Sequence, residues 1–157
     1  MGRFQATSLV VALLLALSPV VPGAFAQGQQ SHPAYVNALS DLRYARALLD
    51  TSSYHDVSPL TSKAVDQIDM AIRDIKEAAM DDGKSLNEHP PVDSAKKPHE
   101  RFQDALAALN RAHTDVARAE DDPKAKGLRV QALHDIDAAR IHTQQAYQRT
   151  LAEDPKH

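Results

Sequence analysis

The chain has 157 residues, no cysteine and 4% aromatic residues, with 21 acidic against 18 basic residues and a formal charge of −3. Without cysteine there is no disulfide framework, no covalently attached haem and no lipid-modified cysteine anchor. The mildly acidic balance, with no basic run longer than Lys96-Lys97, speaks against nucleic acid or anionic lipid as a partner.

Arg3 is the only charge in the first 26 residues, and the apolar run Leu9 to Leu17 follows it. Pro19, Pro22 and the small-residue triplet Ala24-Phe25-Ala26 come next. That order predicts a secretory signal over residues 1–26, cleaved before Gln27, and hence a periplasmic or extracellular protein. A membrane anchor would need about 20 uninterrupted apolar residues, and the prolines break this stretch too early. Cleavage removes Arg3 and no acid, so 18 basic residues become 17 against 21, a formal charge of −4. An exported chain with no disulfide must draw its stability from the core alone.

Residues 27–157 are predicted to form one domain. Ser31 can cap a first helix running to about Asp50, with Tyr35, Leu39, Leu42 and Leu49 at three- and four-residue steps. Thr51 to Ser58 make a turn, and Ser58-Pro59 suits the cap and first position of a second helix. There Val65, Ile68, Ile72, Ile75 and Ala79 keep the spacing of a bundle seam up to the stop at Gly83. Residues 84–97, with Pro90 and Pro91, are the long connection. Pro98 then opens a third helix carrying Phe102, Ala105, Leu109, Ala112 and Val116 on one face. Asp121-Asp122-Pro123 interrupts the pattern before a fourth helix from about Gly127 to Leu151. No segment of useful length alternates with period two, which excludes strands.

The second pair of helices repeats the first. Tyr35, Ala38, Leu39, Leu42 and Ala45 align with Phe102, Ala105, Leu106, Leu109 and Ala112 at an offset of about 67 residues. Ala64, Ile68, Asp69 and Ala71 align with Ala132, Ile136, Asp137 and Ala139 once the offset grows by one. Two helical hairpins of about 31–83 and 98–152, neither able to bury its stripe alone, predict an all-α, up-down-up-down four-helix bundle.

Within this pattern Arg140 stands where Ile72 stands in the second helix, and Thr143 where Ile75 does. A seam arginine needs a carboxylate or a route to water, and Asp41 on the first helix is the carboxylate to hand. The simpler arrangement rotates the fourth helix so that Ala139 and Ala146 form its core line and Arg140 reaches solvent. The alignment also sets His113, His134 and His142 opposite charged residues, which predicts that they face water.

Ferritin-like di-iron chemistry requires Glu-x-x-His on two helices, and the chain has no such pair. Met70 and Met80 read as packing residues rather than haem ligands. No two histidines are spaced to chelate from one helix, and no Ser/His/Asp or Cys/His arrangement emerges. In an up-down-up-down bundle His32, His89, His99 and His157 would gather at one pole with Asp81, Asp82, Glu88 and Asp93, above Tyr35, Phe102 and Tyr147. Histidine and carboxylate converging there would suit Zn, Cu or Ni, with His32, His89 and His99 as metal ligands.

The segments Asp81-Asp82-Gly83-Lys84 and Asn87-Glu88-His89-Pro90-Pro91-Val92-Asp93, with His32-Pro33-x-Tyr35-x-x-Ala38-Leu39-x-Asp41-Leu42-Arg43-x-Ala45-Arg46, resemble a family of small exported all-helical bacterial proteins of no assigned function. The resemblance spans nearly all of residues 27–157. It implies a bacterial, periplasmic protein and supplies no activity, cofactor or catalytic residue. Lacking any motif that catalysis needs, the chain is expected to be non-enzymatic, with a binding or structural role in the envelope and with self-association or another envelope protein as its partner. The alternative expectation is a periplasmic transition-metal-binding protein that uses the histidine pole.

Overall fold

A computed structural model describes residues 33–50, 57–78, 83–119 and 125–153. They form four helices: α1 (Pro33–Leu49), α2 (Ser58–Ala78), α3 (Pro98–Arg118) and α4 (Lys126–Glu153). The expected order and helix count hold, and no strand occurs among the described residues. The predicted signal segment 1–26 lies outside them, and no described helix is long and apolar enough to cross a membrane.

Local signals fix the helix limits. Pro98 occupies the first position of α3, where a missing N–H costs nothing, and the Glu100 carboxylate accepts the Lys97 N–H at 2.9 Å. α3 ends where Ala119 turns extended, its N–H still reaching the carbonyls of Asp115 and Val116. Gly83, beyond α2, has φ +72°, a conformation that glycine alone adopts without a Cβ penalty.

The core is one continuous cluster built mostly from leucine, isoleucine and alanine. Ala38, Ala45, Ala64, Ala71, Ala105, Ala112, Ala132, Ala139 and Ala146 are fully buried. Such small side chains let helices approach closely, which places Phe102 and the isoleucines of α2 at the centre of the packing. Ala139 and Ala146 do form the core line of α4. Thr143 joins them, its hydroxyl donating to the Ala139 carbonyl at 2.8 Å, so that its own buried donor is satisfied.

Contact extent gives the order of the helices around the bundle. α2 packs most heavily on α4 and α1 on α3, while α3 on α4 and α1 on α2 complete the ring. The backbones of α1 and α4 do not approach closely, nor do those of α2 and α3, so each of these pairs is diagonal. α3 and α4 are antiparallel, because Gln103 meets Tyr147 and His113 meets Asp137. The long linker therefore joins diagonal helices, and it is stitched down at both ends. The Lys84 carbonyl accepts from Arg43 of α1 and Lys76 of α2, whereas the carbonyls of Ser94 and Lys96 accept from Arg101 of α3. Val92 packs against the core between these two attachments.

Candidate functional site

The residues of the expected histidine pole are only partly within the described structure. His32, His157, Asp81 and Asp82 lie outside the described residues. His89 is exposed in the linker, and its Nδ1–H donates to the Pro90 carbonyl at 2.7 Å. His99 is half-buried in the first turn of α3. Glu88 and Asp93 use their carboxylates on the linker's own backbone, accepting from the N–H of Ser85 and of Ala95 at 2.9 Å each. Among the described residues no group of three histidines or carboxylates is placed to hold a metal ion. Tyr35 and Phe102 are core residues, and the Tyr147 hydroxyl accepts from the Gln103 amide at 2.7 Å.

The suggested Asp41–Arg140 pair does not form. Asp41 takes a two-pronged contact from Arg111 of α3, with Nε at 3.1 and 3.2 Å and Nη2 at 2.7 Å. Arg140 turns to Asp137, one helical turn back on α4, at 2.6 Å. The reason is architectural: α1 and α4 are diagonal, so a side chain on one cannot reach the other across a filled core. Arg140 stays solvated with its side chain 39% exposed, as the simpler arrangement anticipated.

Of the three histidines expected to face water, only His134 does so, at 82% side-chain exposure. His113 is half-buried with Nε2 3.7 Å from Asp137. His142 is also half-buried, and its Nδ1 is enclosed without a hydrogen-bond partner. The aligned residues behave alike, Arg46 and Asp74 being half-buried and Asp66 exposed, so the correspondence holds and what fails is the step from a charged counterpart to a solvated position.

Along the α2–α4 seam the carboxyls of Asp74 and Asp135 oppose each other. Burial pushes the Asp74 carboxyl above its ordinary range and the neighbouring Asp135 charge adds to this, with Arg73 acting in the opposite sense. Asp135 is itself buried. A seam carboxyl of this kind holds a proton more tightly than usual, and the charged groups that act on it are Asp135, Arg73 and Glu77.

A concavity lies elsewhere, between α3 and α4, as an open groove of about 610 Å³. Leu106 and Asn110 form its α3 wall, while Asp137, Arg140, Ile141, Gln144 and Gln145 form its α4 wall. Asp137 and Arg140 neutralise each other, which leaves apolar surface at Leu106 and Ile141 and hydrogen-bonding capacity at three side-chain amides. Ile141 is 58% exposed. No family model, curated protein or solved structure matches the chain. The resemblance to exported helical proteins therefore rests on the quoted motifs alone.

The groove was missed in the sequence because its residues read as surface or as core. Leu106 aligns with Leu39, which is buried, and nothing local to Leu106 signals that its own site stays open. One signal was available: on α4 the replacement of a seam isoleucine by Arg140 and the adjacent outward Ile141 reverse the amphipathic order seen in α2.

Proposed function

We propose that this is an exported, non-enzymatic helical bundle that acts in the cell envelope by docking a partner in the α3–α4 groove. The observation that carries the reading is the groove itself. It is wide, open to solvent and charge-neutral, with an apolar strip of Leu106 and Ile141 flanked by amides. Catalytic sites usually enclose their reactants and converge titratable groups on one point. Here the one acid and one base in the lining are already paired to each other. Leu106 and Ile141, brought together in a concave surface, offer apolar area that association with a partner would bury. Residues 1–26 support placement outside the cytoplasm through their charge, apolar run and small-residue triplet.

The test is a photo-crosslinking amino acid at Gln145, introduced into the full chain and illuminated in intact cells of an exporting bacterium. The expected product is a processed chain beginning at Gln27 in the envelope fraction, carrying a discrete adduct absent when the same amino acid replaces Met70, which is 41% exposed on α2 rather than packed in the core and lies outside the groove. A chain retained unprocessed in the cytoplasm, or adducts equal at both positions, would refute the reading.

A further inference from the structure

The two hairpins treat corresponding surfaces differently. At the offsets of the internal repeat, Leu39 corresponds to Leu106, Arg43 to Asn110, Asp69 to Asp137, Ile72 to Arg140 and Lys76 to Gln144. All five second members line the α3–α4 groove. In the first hairpin this position is occupied, because the linker crosses it. Arg43 from α1 and Lys76 from α2 both donate to the Lys84 main-chain carbonyl, at 3.3 and 2.7 Å, and Leu39 beneath is buried. The second hairpin has no such strap over Leu106, Asn110 and Gln144 among the described residues, and there the groove is open.

We propose that the α3–α4 groove receives an extended peptide segment of a partner protein, seated as the linker is seated on the first hairpin. This deepens the docking reading above and rests on it. A main-chain carbonyl of the partner accepts from the Asn110 and Gln144 amides, the counterparts of Arg43 and Lys76. An apolar side chain of the partner packs on Leu106 and Ile141.

Charge selects this class of ligand. Where the first hairpin directs two cations at the carbonyl, the groove offers neutral amides, and Asp137 and Arg140 cancel. A phosphate-rich or strongly charged partner would gain nothing here. A peptide backbone presents neutral donors and acceptors that side-chain amides match in both senses.

The experiment selects a displayed library of random 12-residue peptides on immobilised full-length mature protein, residues 27–157, and then measures each selected peptide by fluorescence anisotropy. Peptides are expected to be enriched on the wild-type protein and not on Ile141→Asp, a substitution at an exposed site that leaves folding intact. Gln144→Ala should weaken the selected peptides about fivefold, the loss of one net hydrogen bond, and Met70→Asp should leave them unchanged. No enrichment over Ile141→Asp, or binding indifferent to both groove variants, overturns the proposal. A groove-dependent dimer mass in native mass spectrometry, without peptide enrichment, also overturns it in favour of a second copy of the chain. If the Gln145 crosslink forms while peptides fail, the docking reading survives and only the peptide assignment falls.

Discussion

The contact of Arg111 with Asp41 ties α3 to α1 across 70 residues of sequence and can be tested by a double-mutant cycle. Arg111→Ala removes three N–H to oxygen contacts and leaves an Asp41 side chain only 20% exposed without its cation. Exposed ion pairs contribute about 0.2–1 kcal/mol, while hydrogen bonds to charged groups reach about 1.5–3 kcal/mol. The guanidinium here is 55% exposed, which discounts the upper range, and the fork geometry lifts it above the lower one. A coupling of about 1 kcal/mol is expected between Asp41→Ala and Arg111→Ala. In urea this equals a midpoint shift of about 0.5 M at a slope of about 2 kcal/mol/M. The coupling should shrink in 1 M salt, where the screening length falls to about 3 Å. The parallel cycle of Asp41→Ala with Arg140→Ala should be additive, because the two residues sit on diagonal helices. A coupling below about 0.3 kcal/mol for the first cycle, or a larger one for the second, would refute the ring order derived above.

Other perturbations probe the core and the seam. Phe102→Ala empties a fully buried aromatic site on α3, and calorimetry should register a loss of about 3–5 kcal/mol, a fall of roughly 4 °C for each kcal/mol. A loss under about 1.5 kcal/mol would mean that the site collapses around the alanine. For Asp74 the folded-state carboxyl is raised, so its ionisation opposes folding. The stability linked to its protonated form is complete below the unfolded value near 3.8 and is lost as pH rises through the raised folded value. Asp74→Asn is therefore expected to be more stable than wild type at pH 7, with the difference fading on acidification, and equal urea midpoints at pH 7 would contradict this. His142→Leu removes an enclosed nitrogen that has no hydrogen-bond partner and should raise stability by about 1 kcal/mol. A loss instead would show that the imidazole is hydrogen-bonded in solution.

Helix existence and limits were legible because their causes are local. Pro98 at a first turn, Gly83 beyond a last one, and apolar residues at steps of three and four act within a few residues of chain. The burial of Ala139 and Ala146 was legible as well, from a small rotation of the fourth helix that carries Arg140 to solvent. The candidate site was much less legible. His89 could be located only after the linker was seen to fold its acids back onto its own backbone, and Asp41 could be assigned to Arg111 only when α1 was found beside α3 rather than α4.

Periodicity and punctuation along the chain thus determined that there are four helices and which face of each is apolar. They could not determine which helices are neighbours, since an amphipathic stripe specifies that a face is buried and not what buries it. Ring order, the capture of Asp41 by Arg111 and the enclosure of His142 all followed from pairing at distances of tens of residues. The groove is the clearest case. Corresponding leucines at 39 and 106 carry the same local signal, and only tertiary structure brings the linker, with its carbonyl at Lys84, over the first hairpin while leaving the second open.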